Sequence, residues 1–379
     1  MNILLIPHLP KYCTRGYQLA KHLSKDNRVH FILWNMPYPF TFVNILDNIK
    51  NSWRYNKYEM EGVVIHKIRR LPFFFPSINK WLFKKQINLI FKKYKINIIF
   101  SESFFNEVEP PLYLPLIYDM VDDHEAFIEI YGSKIYKLGC KILNVKKTIE
   151  NQILKSRKVV AVSDLLLKSV KKYNKKVYKI PNGVPSYFLE HSTNVEKNSY
   201  GQHSIVYVSN FEKFSNLPEV ISAVNQLRGK YKNIKLILIG RGVQVSGAKK
   251  LVKKWHLEQN VKFLGWLNHR EIPEIVSRCQ VALLTQEKNK VTDSAFPIKI
   301  IEYLALDKKI VSSNLNEIRK LKCPNIFIYK EENRVNSLIK CIELAFSSNF
   351  ESGINKEIAK KYSWDKICNK LQKIIMEEI

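Results

Sequence analysis

In the stretch FPIKIIEYLALDKKIVSSN, residues 296–314, two charged side chains interrupt an apolar run from Phe296 to Leu306. Lys299 and Glu302 stand three residues apart, which places them on one face of a helix. Two arrangements fit that spacing. They pair with each other, a surface contact contributing ~0.3 kcal/mol, or both face a ligand with a negative end and a hydroxylated end. Pro297 suits the opening turn of a helix. Backbone N–H groups left open there, with the dipole, favour an anion such as a phosphate. Lys299 would add a full charge, and the Glu302 carboxylate could accept hydrogen bonds from two neighbouring ribose hydroxyls at once.

A second set lies in IYDMVDDH, residues 117–124. Asp119, Asp122, Asp123 and His124 fall at the carboxyl end of an expected strand, where ligands bind in open α/β sheets. Such a cluster could orient a hydroxyl, act as a general base or bind a metal, and one of the aspartates could simply cap the next helix. Thr14, Arg15 and Gly16 follow the first expected strand, with Gly16 suited to a tight turn.

The elements that must position these residues recur in βαβα order. Strands are expected at NILLIPHL, RVHFILWN, VVIHKI, INIIFSE, LPLIYDM, VVAVS and VYKIPNGV, with a helix capped by Asp164. Residues 190–203 are polar and aperiodic, as a linker would be. A second series follows: SIVYVS, a helix over 217–230, KLILIG, VKFL, QVALLT and the quoted helix and strand. Two Rossmann-like, doubly wound parallel-sheet domains facing across a cleft are expected. We place them at 1–195 and 196–355, with a terminal helix in 356–379 packing back on the first.

Several classes are excluded. Gly240 and Gly242 in IGRGVQVSG give only two glycines of a dinucleotide fingerprint, and no GxxxxGK[ST] occurs. Six scattered cysteines without CxxC spacing argue against a zinc site or a disulfide framework, and for a reducing cytosol. No run of 18 apolar residues occurs. The excess of 62 Lys+Arg over 34 Asp+Glu, a net charge of +28, implies an anionic partner or a lysine-rich bias. LPFFFPSINKWLFKKQINLIFKKYK, residues 71–95, interleaves aromatics with lysines. It reads either as a helix with its aromatics packed inward or as contact with an anionic membrane surface; no nucleic-acid motif accompanies it.

Taken in order, VVAVSDLLLKSV…VYKIPNGV, IVYVS, KLILIGRG, VKFLGWLNHREIPEIVSRCQVALL, FPIKIIEYLALDKKIVSS and YSWDKI resemble the retaining GT-B glycosyltransferases, specifically glycosyltransferase family four. The resemblance covers roughly residues 155–370 and is looser before that. It implies a GT-B fold and transfer of a sugar from a nucleoside-diphosphate sugar. The acceptor would be a glycan, free or polyprenyl-linked, in polysaccharide or protein glycan assembly. No cofactor and no metal are implied; the Asp-x-Asp metal motif of the other main glycosyltransferase fold differs from D-x-x-D-D here. The location implied is cytoplasmic, extending to the inner face of the cell membrane.

By the same resemblance Glu302 holds ribose, Lys299 the diphosphate, and Gly16, Arg241, Ser294 and Pro297 line the donor. Asp122, Asp123 and His124 stand on the acceptor side. Three positions depart from the family pattern. Ser294 replaces the first glutamate of Glu-x7-Glu, while Asn210 and Ser215 replace the cations that grip diphosphate. A non-catalytic nucleotide- or glycan-binding protein on the same scaffold is the alternative.

Overall fold

A computed structural model describes residues 1–7, 15–34, 55–69, 76–103, 108–111, 113–142, 144–191, 199–349, 351 and 353–378. The chain forms two units, Met1–Asn182 with Trp364–Ile379, and Gly183–Ser363.

The first unit holds β1 (Asn2–Ile6), β2 (Arg28–Trp34), β3 (Asn56–Met60), β4 (Val63–Ile68), β5 (Ile98–Ser101), β6 (Leu116–Met120), β7 (Lys158–Ala161) and β8 (Val177–Lys179). They form one sheet in the order β3-β4-β2-β1-β5-β6-β7-β8. Only β3 runs antiparallel to its neighbour. The central strands are continuous apolar runs because such a sheet is covered on both faces; Ile3 to Ile6 are fully buried. β3 is absent from the sequence reading. NKYEM is a polar edge strand, returned by Glu61 and Gly62 at positive φ, the pair a tight hairpin requires.

The second unit holds β9 (Ser204–Val208), β10 (Lys235–Ile239), β11 (Val261–Gly265), β12 (Val281–Leu284), β13 (Lys309–Ser312) and β14 (Ile326–Ile328). Its order is β11-β10-β9-β12-β13-β14, all parallel. Winding reverses between β1 and β5 in the first unit and between β9 and β12 in the second. The carboxyl ends of those strands are where a doubly wound sheet leaves a crevice.

The chain enters the second unit at Gly183 and leaves it at Ser363, and Val184 N donates to Tyr362 O at 2.8 Å. The polar stretch 190–203 therefore belongs to the second unit where it is described; 192–198 lie outside the described residues. The terminal helix Trp364–Met376 packs in the first unit on the helix Arg15–Leu23. It buries Trp364, Ile367, Cys368, Leu371, Ile374 and Ile375, an amphipathic spacing. Two helix ends differ from expectation. Ser163, not Asp164, caps its helix by accepting from Leu166 N, and the helix from Leu217 stops at Leu227.

Candidate functional site

The helix Ile298–Ala305 follows β12, with Pro297 as its extended N-cap rather than a first-turn residue. It is held from both sides: Ile300, Ile301, Leu304 and Ala305 are buried, and Tyr303 Oη accepts from Val208 N at 3.0 Å, at the end of β9. Immersion carries Glu302 inward, to 1% exposure. Its Oε2 lies 2.8 Å from Lys299 Nζ and its Oε1 2.8 Å from His269 Nε2. His269 is steadied in turn by Tyr187, whose Oη is 2.6 Å from Nδ1. The Arg270 guanidinium sits over the Tyr187 ring.

The Lys299–Glu302 pair is thus real, but it is no surface pair. Burial alone would push Glu302 up; the Lys299 charge and then the His269 hydrogen bond outweigh it and hold the carboxyl down to about 2. The side chains of Lys299 and His269 are 31% and 34% exposed, against 2% for Glu302. A carboxylate therefore lies at depth with two donors on its outer side. Those donors take two of its roughly four lone-pair sites.

The loops after β9 and β12 are tied at the point of reversed winding by Glu287 N donating to Phe214 O at 2.7 Å. Tyr207 Oη and Thr285 Oγ1 both donate to Ser215 O, and Ser215 is fully buried. Asn210, Lys213 and Arg241 are exposed beside this core. Gly240 and Gly242 have a steric cause. A Cβ on either would lie 1.8 Å from the carbonyl oxygen of Ser209 or Asn210, so the glycines let the β9 loop cross the β10 loop. Ser294 is 4% exposed and its Oγ donates to Val291 O at 2.9 Å, within its own helix.

In the first unit Gly16 lies against Glu102, at the β1/β5 reversal; a Cβ there would come 2.9 Å from Glu102 Oε2. Arg15 is buried and binds Asp119 (2.7 Å), Pro181 O and Ile180 O, each at 2.8 Å. Arg15 is thus a clamp joining Asp119 on β6 to the chain after β8. Asp123 caps the helix His124–Tyr131 by accepting from Ala126 N at 2.9 Å, and His124 is buried in its first turn. Asp122 is partly exposed yet set deep among protein atoms. Burial, then the Asp123 charge, pushes it up to about 7. Thr14 lies outside the described residues. Among the described residues no group of three or more His, Cys, Asp or Glu is placed to hold a metal.

The structure therefore brings together Lys299 and Glu302, adds His269 and Tyr187, and sets Arg241 on the neighbouring β10 loop. His269 and Glu102 escaped the sequence reading. The signal for His269 was in view: NHREI carries a capping box between Asn268 and Glu271, which fixes the turn that presents the imidazole.

The basic, aromatic stretch resolves into the helix Pro76–Tyr94, with 71–75 outside the described residues. Phe83, Ile87, Ile90 and Phe91 enter the core beside β1 and β5. Trp81 and Leu89 face outward with Lys80, Lys84, Lys85, Lys92 and Lys93, and Lys85 Nζ covers the Trp81 ring at 5.0 Å.

Residues 192–363 match the family model for glycosyl transferases group 1. TuaH of Bacillus subtilis (strain 168), named for teichuronic acid biosynthesis, is 22% identical over 117 residues, 30% of each chain. N-acetyl-alpha-D-glucosaminyl L-malate synthase of Bacillus anthracis is 25% identical over 197 residues, 50% of this chain and 49% of that one. The matched segments thus span half or less of these relatives. The structure of Alr3699/HepE from Anabaena in complex with UDP covers 100% of both chains at a TM-score of 0.71 and 16% identity. The two sheets are those of a GT-B fold.

Proposed function

We propose, from the premise that residues 192–363 are a glycosyl transferases group 1 domain, that the chain moves a sugar from a nucleoside-diphosphate sugar to a glycan acceptor. The setting is cell-surface polysaccharide assembly. The observation that carries this reading is Glu302, a buried carboxylate kept ionised by Lys299 and His269 at the reversal point of the second sheet.

In this reading Glu302 accepts the ribose hydroxyls. Sugar transfer leaves negative charge on the departing diphosphate, and preorganised positive groups are what that step needs most. Lys299 and the N–H groups opening the helix Ile298–Ala305 supply them, and Arg241 adds a cation from the next loop. The backbone beside Ser294 and Pro297 borders the sugar. Asp122, with a pKa of about 7, is the group suited to hold an acceptor proton, positioned by its neighbours Asp123 and His124. Retention of configuration, independence of metal and of any cofactor, a polyprenyl-linked acceptor and work at the inner face of the cell membrane complete the proposal. Support for the donor class comes from the UDP held by the Anabaena protein.

Release of nucleoside diphosphate from UDP-, GDP- and ADP-sugars tests it. Turnover should fall at least tenfold in Glu302→Ala and in Lys299→Ala. One observation favours a second reading, a binding protein without turnover: Ser294 is buried and bonded to its own helix where the family pattern has a glutamate. That reading is upheld if UDP raises the melting temperature while no sugar donor is hydrolysed.

A further inference from the structure

Tyr187, His269 and Glu302 come from three separate elements of the second unit and form one chain of hydrogen bonds. Tyr187 stands on the short helix Ser186–Leu189, which packs on the helix Ile298–Ala305. His269 opens the turn after β11, whose backbone is fixed by the capping box between Asn268 and Glu271. The imidazole itself is held by three neighbours. Tyr187 Oη lies 2.6 Å from Nδ1, Glu302 Oε1 lies 2.8 Å from Nε2, and the buried Phe188 ring lies 5.1 Å away, centroid to centroid. The phenol is braced in turn by the Arg270 guanidinium, 5.0 Å from its ring centroid.

Chemistry gives this chain a direction. An ionised carboxylate only accepts hydrogen bonds, so Nε2 must carry a hydrogen toward Glu302. In the neutral ring Nδ1 is then the acceptor, and Tyr187 Oη must donate to it. Both hydrogens thus point down the chain to Oε1, and hydrogen bonds in such a series strengthen one another. The other carboxylate oxygen, Oε2, is held by Lys299, whose flexible four-carbon stem lets its ammonium move. On the donor reading above, that ammonium turns to the diphosphate. Oε1 then keeps its partner, and the carboxylate plane stays where it was. We propose that Tyr187 and His269 are positioning residues for the donor ribose, acting through Glu302: they hold its carboxylate in the orientation that receives the two ribose hydroxyls. The inference rests on the donor site proposed above and adds what orients it.

The experiment titrates the full chain by calorimetry with UDP, GDP and ADP and with the dideoxyribose analogue of each. In the parent, whichever nucleotide binds most tightly should bind about tenfold or more tighter than its analogue, as hydrogen bonds to a charged group imply. Tyr187→Phe keeps the ring and removes only Oη. It should weaken the nucleotide about three- to tenfold, the net worth of one hydrogen bond, and leave the analogue unchanged. A merely structural loss would weaken both alike. His269→Gln sets an amide N–H near the place of Nε2 but offers Tyr187 no ring nitrogen. It should lose a similar share of the preference, and adding Tyr187→Phe to it should cost nothing more. Equal weakening of nucleotide and analogue in Tyr187→Phe, no weakening of either, or losses that add in the double variant overturn the inference alone. A parent that binds none of the three nucleotides, or a preference for the hydroxyls that survives in Glu302→Gln, overturns the donor reading and this inference with it.

Discussion

His269 Nε2 and Glu302 Oε1 are 2.8 Å apart, a contact that runs from the turn after β11 to the helix after β12. It gives the buried carboxylate a partner that remains when Lys299 is drawn toward an anion. Both partners should therefore be felt by experiment. His269→Ala strips one hydrogen bond from a buried carboxylate, at a cost of about 1–3 kcal/mol. It should lower both the urea midpoint and UDP affinity. Lys299→Ala removes the larger of the two contributions that hold Glu302 ionised, so the urea midpoint should fall at least as far, and UDP affinity, read by calorimetry, should fall about tenfold, or ~1.4 kcal/mol.

Glycine substitutions discriminate loop packing from helix propensity. Gly240→Ala and Gly242→Ala each place a Cβ 1.8 Å from a carbonyl oxygen of the β9 loop, and Gly240 also stands at φ +135°. Each should cost roughly 2 kcal/mol or more, the range of backbone strain at a special conformation. Gly247 sits in the helix Val245–Lys254 with nothing within 4 Å of its added Cβ. Gly247→Ala should stabilise by about 0.5–1 kcal/mol. Thermal melts of the three proteins check the contrast.

Much of this was legible in the amino-acid order, and the gaps have physical causes. The buried parallel strands announce themselves as apolar runs, so β1, β7, β9, β10 and β12 fall where the sequence places them. β3 did not, because an edge strand half in water has no apolar signature. Lys299 and Glu302 could be named from spacing on one helix. For His269 the capping box in NHREI marks only the turn; its partner is 33 residues away and only the fold closes that distance. The acidic cluster reads as one group along the chain. In space Asp119 turns to Arg15 and Asp123 to the next helix, because a buried carboxylate and an open helix end each need a partner. Side-chain direction in the basic helix was likewise set by the sheet beneath it.

A pair of histidines sets an acid limit on the first unit. His30 Nδ1 and His66 Nε2 are 2.8 Å apart on adjacent strands β2 and β4, and His66 Nδ1 is 2.9 Å from Tyr55 Oη. Burial lowers His30 to about 4 and His66 to about 3, with nearby positive groups adding to it: Arg28 and Lys57 for the first, His30 and Lys57 for the second. Folded values below the unfolded ~6.5 mean that the unfolded chain takes up protons first as pH falls. The stability is fully present above pH ~6.5 and is lost toward pH ~4 for His30 and ~3 for His66, each contributing about 1.4 kcal/mol per pH unit. Glu302 acts lower, between its unfolded ~4.3 and about 2. Urea midpoints between pH 6.5 and 4.5 should fall with acid in the parent. They should flatten in the double variant His30→Gln, His66→Gln.

Asp122 supplies a sharper test of the acceptor side. Its carboxyl, raised to about 7 by burial and then by Asp123, is mostly protonated below that pH and ionised above it. A base on the acceptor hydroxyl must be ionised to act. Turnover per donor bound should therefore rise with pH to a plateau, with a midpoint near 7. Asp122→Asn should abolish the rise and lower the plateau by 10²–10⁴-fold, the usual contribution of a positioned base. UDP affinity should be unchanged, because this reading gives Asp122 to the acceptor and Glu302 to the donor. Asp123→Asn should act differently. It keeps an oxygen to cap Ala126 N and removes the charge that helps raise Asp122, so the midpoint should shift to lower pH with little loss of stability. A pH–rate profile that is flat from 5 to 9 in the parent would remove Asp122 from the chemistry.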